Sequence, residues 1–403
     1  MKKMLVSFVC LFLLLSCGKN VPYLTHSVPL EAEVSGNTEL PTFEGFLFPS
    51  LPPLTRSSEI REAVLCSRGW LFIDGSGVTR VYSPAAGTVN ALCSDPLCSH
   101  APDSDCAFRS CAVTGVPVQA GDRLWVIDKD PRYLQPEYVG RNILPARSVC
   151  STDLFGHDKK THYRNDGTEL YGLYAEEDAV WWIERVGDEQ TLLTRMDPRS
   201  GKIERMPCGE DEHKIIIEFV RLGDFVFYIL DDGMIRFCRS DFSDDSFVSQ
   251  TKGTSLYASD SVGKVYWKEA GGLVSYNPDT GNTETAITPP EGFCLHAFIP
   301  SGSGFAYTLA AVTGDFISLY ESFQTYQASV EADAALYLWG PETGITERIA
   351  LPVSVIPSPL CSGYEGGILF TMRAVQNDWT KAVSWKGWYA CLTETGEVWE
   401  VEP

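Results

Sequence analysis

The sequence predicts an all-β fold, a β-propeller of seven four-stranded blades. Six or eight blades fit the same signals if an insertion has been split or merged. Three observations carry this reading. A short aromatic strand signal recurs seven times along the chain. A Pro–Gly turn recurs between those strands. The composition, with 34 Gly and 24 Pro in 403 residues that are 44% hydrophobic, suits a turn-rich chain with a large apolar core.

The strand signal is a run of β-branched and aromatic residues led by Gly or Asp. It opens as Gly69-Trp70-Leu71-Phe72-Ile73 and returns as Asp122-Arg123-Leu124-Trp125-Val126-Ile127 and Asp178-Ala179-Val180-Trp181-Trp182-Ile183. Asp224-Phe225-Val226-Phe227-Tyr228-Ile229 and Gly263-Lys264-Val265-Tyr266-Trp267 follow, then Gly304-Phe305-Ala306-Tyr307 and Gly367-Ile368-Leu369-Phe370. These runs are too short and too apolar for amphipathic helices.

The turn signal places Pro second and Gly fifth. Its copies are Ser83-Pro84-Ala85-Ala86-Gly87, Asp197-Pro198-Arg199-Ser200-Gly201, Asn277-Pro278-Asp279-Thr280-Gly281 and Gly340-Pro341-Glu342-Thr343-Gly344. Thr393-Glu394-Thr395-Gly396 is a shortened copy, and Asp153 to Gly156 and Ser240 to Ser243 are weaker ones. Proline presets φ at the first corner and glycine supplies the left-handed residue that ends the turn. One strand signal and one turn occupy roughly 40 to 60 residues, the length of a four-stranded blade. A lone blade cannot bury both faces of its sheet, so the blades must stack around an axis.

Ahead of this region the chain opens with Met-Lys-Lys, an apolar run from Met4 to Leu15, and Ser16-Cys17. That is a secretory leader over residues 1–16, too short to span a bilayer as a helix. Leu14-Leu15-Ser16-Cys17 resembles a bacterial lipobox, in which Cys17 carries the acyl chains and becomes the first residue. Two or three acyl chains anchor firmly where one does not. Residues 17–56 read as a Pro-spaced tether, and 57–403 as the propeller domain. The expected address is the cell envelope, outside the cytoplasm on a bacterial membrane. The formal charge of -21 excludes a nucleic-acid partner, because phosphate would be repelled.

The repeats resemble the broad superfamily of WD-like and quinoprotein-like propellers, although no Trp-Asp dipeptide ends a strand. With the leader and the stretch Leu92-Cys93-Ser94-Asp95-Pro96-Leu97-Cys98-Ser99-His100 through Cys106, the chain is also similar to propeller lipoproteins of gut Firmicutes. Those carry a Cys-rich loop after an early blade. The resemblance implies a fold and an address, and brings no activity with it.

If the Pro–Gly turns join third to fourth strands, the long insertions fall together on the opposite face. The second blade carries Tyr133 and Tyr138 there, the sixth Tyr320, Phe323 and Tyr326, and the seventh Trp379, Trp385 and Trp388. The Cys-rich loop is expected on the same face. Long loops on a rigid scaffold are where binding usually resides. Aromatic rings beside carboxylates suit a glycan or a peptide, and equally suit a small core under the loops themselves.

Cys93, Cys98, His100, Cys106 and Cys111 lie close together in sequence. Four soft or imidazole ligands suit a structural zinc, and an exported loop equally suits disulfides or free thiols. The loop is polar and rich in Pro and Asp, so a staple there should supply the order that a core does not. Cys66, Cys208, Cys238, Cys294, Cys361 and Cys391 are scattered and read as small core hydrophobes. Asp231-Asp232-Gly233 and Asp241 to Asp245 lack the spacing of a calcium loop and read as turns.

No nucleophile elbow, phosphate loop, dinucleotide fingerprint or His-Glu-x-x-His occurs. The functional expectation is therefore a lipid-anchored binding or interaction module, with no catalytic residue nominated. An extracellular enzyme acting on glycans or peptides through axial carboxylates is one alternative, and an envelope scaffold with a protein partner is the other.

Overall fold

The computed structural model describes residues 63–74, 78–83, 86–100, 106, 108, 116–129, 147–166, 169–186, 190–206, 215–249, 252–269, 271–301, 304–311, 335–344, 346–350, 361–364, 367–374, 384–392 and 397–401. The leader, Cys17 and the tether lie outside the described residues. Among the described residues no helix is long and apolar enough to cross a membrane.

The described strands form seven four-stranded antiparallel sheets, each built from consecutive strands. The first blade is β1 (Ala63–Cys66), β2 (Gly69–Ile73), β3 (Thr79–Ser83) and β4 (Thr88–Ala91). The second is β5 (Val118–Ala120), β6 (Arg123–Lys129), β7 (Arg147–Asp153) and β8 (Lys160–Asn165). The third is β9 (Leu170–Ala175), β10 (Val180–Arg185), β11 (Thr191–Met196) and β12 (Ile203–Arg205). The fourth is β13 (Ile216–Leu222), β14 (Phe225–Leu230), β15 (Ile235–Arg239) and β16 (Ser246–Ser249). The fifth is β17 (Thr254–Ser259), β18 (Lys264–Glu269), β19 (Gly272–Asn277) and β20 (Asn282–Ile287). The sixth is β21 (Phe293–Ser301), β22 (Gly304–Ala311), β23 (Ala335–Trp339) and β24 (Thr346–Ala350). The seventh is β25 (Cys361–Tyr364), β26 (Gly367–Ala374), β27 (Ser384–Leu392) and β28 (Val398–Val401). Consecutive blades touch, and β1 touches β25, so the blades close into a propeller.

Every Gly- or Asp-led aromatic run is the second strand of its blade, and every Pro–Gly signal falls between a third and a fourth strand. The centres of second strands such as β2, β10 and β14 are apolar because both of their faces are covered. Successive side chains point to opposite faces of a sheet. Trp181 and Ile183 enter the seam with the fourth blade, among Phe219, Val226 and Tyr228. Val180 and Trp182 enter the seam with the second blade, among Trp125, Ile127 and Val149. The core is thus divided among the seams between blades, and the outermost strands are left wet. In β20 the first four residues are exposed.

The turns have the chemistry expected of them. Asp197 Oδ1 accepts the amides of Arg199 (2.8 Å) and Ser200 (3.3 Å), and Gly201 closes the turn at φ +70°. Asn277 and Gly281 repeat this arrangement. Asp232 and Asp241 likewise accept turn amides, from Met234 and Ser243. The leading glycines of β2 and β22 have a different cause. A Cβ on Gly69, at φ +141°, would stand 2.0 Å from the Tyr82 carbonyl oxygen. On Gly304 it would stand 2.1 Å from that of Trp339.

Polar side chains also tie neighbouring blades. Tyr171 Oη donates to the Ile216 carbonyl at 2.7 Å. The Leu256 amide donates to Glu218 Oε1 at 2.8 Å.

Candidate metal centre

The connection from β4 to β5 holds the densest group of metal-ligating side chains found among the described residues. The ligand atoms of Cys93, Cys98, His100 and Cys106 all lie within 4.8 Å of one another. A tetrahedral zinc with Zn–S near 2.3 Å and Zn–N near 2.0 Å has edges of about 3.6–3.8 Å. The Cys106 Sγ to His100 Nδ1 distance is already 3.7 Å. His100 sits at φ +53°, a left-handed conformation that L residues seldom adopt. Cys93 is buried, and the other three donors are half-buried.

The local backbone favours sulfur ligands. Cys98 N–H donates to the Asp95 carbonyl at 3.1 Å and Leu97 N–H to Asp95 Oδ1 at 2.9 Å, which folds the Asp95–Cys98 turn. The Asp95 amide is directed at the Cys93 sulfur and the Phe108 amide at the Cys106 sulfur. Burial pushes both thiols above their ordinary range, and these amide donors oppose the shift. A buried thiol that receives an N–H is prepared to become a metal-bound thiolate. The four residues can hold a metal ion. Cys93, Cys98 and Cys106 are free thiols, as are Cys66, Cys150, Cys238, Cys294 and Cys391. The disulfides expected as one alternative are therefore not what joins Cys93, Cys98 and Cys106, whose sulfurs gather around an imidazole. Cys111 lies outside the described residues.

The setting of this connection corrects two expectations. Its described residues are not a polar loop without a core, and they do not lie free on the face of the insertions. Leu92, Cys93, Phe108 and Val116 are buried in one cluster with Leu71, Ile73 and Val81 of the first blade and Leu124, Val126 and Cys150 of the second. Cys66 belongs to the same cluster. The connection also docks on the β7–β8 turn. Ser94 N–H donates to the Phe155 carbonyl at 3.1 Å, and Ser94 Oγ lies 3.0 Å from His157 Nε2. The Arg68 guanidinium donates to the carbonyls of Leu92 (3.4 Å) and Leu154 (2.9 Å). Gly156 admits the Phe108 ring, since a Cβ there would meet Cε2 at 2.5 Å. Nothing in the sequence marks Phe108 or Gly156 for this role beyond a turn glycine and one aromatic after Cys106.

The aromatic candidates divide differently. Tyr133, Tyr138, Tyr320, Phe323, Tyr326 and Trp379 lie outside the described residues. Trp385 and Trp388 are not in an insertion: they belong to β27, opposite Arg373 and Thr371. The chain between β26 and β27 is thus 375–383, shorter than the sequence suggested. The buried carboxylates are spread over separate blades. Asp74 holds Arg80 Nε at 2.7 Å. Glu184 accepts from Tyr163 Oη at 2.7 Å, from Asn165, and from Arg205 Nε at 3.2 Å, linking the second and third blades. Glu218 faces the Leu256 amide. An axial pair of facing carboxylates, which the enzyme alternative requires, is not formed by these three.

No family model and no curated protein matches the chain. Solved structures do. A puromycin-hydrolyzing peptidase from Mycobacterium tuberculosis matches at 10% identity with a TM-score of 0.51, over 85% of this chain and 53% of that one. An oligogalacturonate lyase from Vibrio parahaemolyticus matches at 13% identity and a TM-score of 0.47, over 80% and 88% of the two chains. TolB from Acinetobacter baumannii matches at 10% identity and 0.37, over 83% and 77%. At 10% identity, the likeness to the puromycin-hydrolyzing peptidase speaks for the fold alone.

Proposed function

We propose that this is a lipid-anchored, extracytoplasmic β-propeller that serves as a binding or interaction module, taking a glycan or a peptide, with a structural zinc in its Cys-rich connection. The observation that carries the binding reading is topological. In an antiparallel four-stranded blade, second-to-third connections leave one face and third-to-fourth turns leave the other. The longest second-to-third connections are 130–146, 312–334 and 375–383, on the second, sixth and seventh blades. The strand ends that they join share a face of the ring, and the sequence gives these connections Tyr133, Tyr138, Tyr320, Phe323, Tyr326 and Trp379. Rings that stack on sugars or clamp a peptide belong on such a face.

Zinc is the ion that suits three thiols and an imidazole at near-tetrahedral spacing. The anchor rests on the lipobox at Cys17. The mature chain should retain members of a glycan or peptide array, and a Tyr320→Ala, Phe323→Ala, Tyr326→Ala variant should lose at least about tenfold in affinity with its melting temperature unchanged. Retention that survives this change, and survives shortening of 130–146 as well, overturns the assignment of the face. Cys17→Ala should abolish palmitate labelling and release the protein from membranes; continued labelling removes the anchor.

A further inference from the structure

The β4–β5 connection runs over 92–117, whereas the other described blade-to-blade connections are four to ten residues long. Leu92, Cys93, Phe108 and Val116 of this connection are packed into the seam between the first and second blades. Leu92 N–H donates to the Thr79 carbonyl at 3.0 Å, and Thr79 Oγ1 donates to the Phe108 carbonyl at 3.4 Å. Cys93 follows Leu92 directly, and Cys106 stands two residues before Phe108. The metal-ligating atoms therefore draw together the two points at which the connection enters the seam.

The other side of the first blade is secured differently. The seventh and first blades are the ends of the chain's ring. Among the described residues no connection joins them and no strand is exchanged, since each sheet is made of consecutive strands. Among the described residues, their seam includes apolar packing by Ala63, Trp70, Phe72 and Tyr82 against Ala390 and Val401.

We infer that metal bound by Cys93, Cys98, His100 and Cys106 locks the first blade into the propeller, so that occupancy of this site controls closure of the ring. The inference rests on the zinc reading above. With zinc bound, Phe108 is fixed in the cluster that also holds Leu71, Val81 and Leu124, and the first blade is held from both sides. With zinc removed, the first blade keeps the seam to the seventh blade and a loosened seam to the second. Opening should then spread through β1–β4 while the middle of the ring stays closed. Envelope zinc supply would thereby set the integrity of the face formed around the first blade.

The test is hydrogen exchange on the mature chain, zinc-loaded against chelator-treated, with zinc content measured on both. One zinc per chain is expected. Its removal should speed exchange in 63–91 at least about tenfold while 216–239 is unchanged. Phe108→Ala should reproduce that opening with zinc still bound, and Cys98→Ser should reproduce it at sub-stoichiometric zinc. One zinc per chain whose removal affects only 93–108 overturns the lock and leaves the zinc reading standing. A chain that retains no zinc at any concentration overturns both.

Discussion

Trp70→Ala tests whether the ring has a weakest seam. The indole is fully buried and stacks on Tyr82 with centroids 5.7 Å apart, in the seam to the seventh blade. Replacing a buried Trp by Ala costs about 3–5 kcal/mol, through lost transfer energy and a cavity that relaxes only in part. Trp267→Ala removes an equally buried indole from the seam between the fourth and fifth blades, and should cost about the same. The consequences should differ. Opening the seventh-to-first seam breaks no chain connection and no other seam, so the whole loss falls on one local opening. At 1.4 kcal/mol per factor of ten, that is roughly 10²-fold to several thousand-fold faster exchange at the amides of β1–β4, with the fourth blade little changed. Trp267 lies in a seam crossed by the short connection 250–253 and flanked by intact neighbours, so its loss should appear mainly as reduced global stability. Mass-spectrometric hydrogen exchange on both variants separates the cases. Exchange that rises equally in every blade of Trp70→Ala would refute the reasoning, because the propeller would then open as one unit.

Two further outcomes follow from the geometry. Gly69→Ala should destabilise by about 3 kcal/mol or more in urea unfolding, because the added Cβ must displace the Tyr82 carbonyl. Gly281→Ala, also at positive φ but with open space around it, should cost only about 1–2 kcal/mol, and equal losses would sink the close-approach argument. His162 is held below the usual imidazole range by burial first and then by Arg123 and Lys160, with Nε2 2.8 Å from Ser151 Oγ and the ring 4.6 Å from that of Trp125. A depressed imidazole contributes stability that is full above its unfolded pKa of about 6.5 and is lost as pH falls through the folded value. His162→Gln should therefore flatten the decline in stability on acidification below about pH 6.5, measured by urea midpoints; an unchanged slope would place the acid sensitivity elsewhere.

What the sequence made legible was whatever is dictated locally. Trp181 and Trp182 stand side by side because one strand must feed two seams, and that doubles the apolar signal of every second strand. Asp197 and Asn277 announce their turns because the side chain caps the turn that it begins. First and fourth strands carry no comparable mark. Ile203–Arg205 pairs through its backbone at the wet rim, and little in its side chains requires a strand. The bond set of Glu184 was not legible either. Its partners Tyr163, Asn165 and Arg205 come from two blades and are about twenty residues away on either side, with no pattern linking them.

The cysteines show where local reasoning stops and packing takes over. Their number and crowding near residue 100 pointed to a staple, yet the surrounding Pro and Asp residues suggested a loop with nothing beneath it. The structure places sulfur on both sides of that judgement. Cys238 and Cys391 are fully buried, Cys238 in the core of a seam, as small hydrophobes would be. Cys66 and Cys150 also serve as core residues, but in the seam that receives Cys93, Cys98 and Cys106. Five sulfurs thus share one apolar environment, and only three of them stand beside an imidazole. A ligand set in such a place is fixed by its seam as much as by its own loop. Its metal affinity should therefore respond to changes such as Phe108→Ala that touch no ligand. Sequence spacing alone cannot express that dependence, because Phe108 is made a partner of Leu71 and Leu124 only by the meeting of two blades.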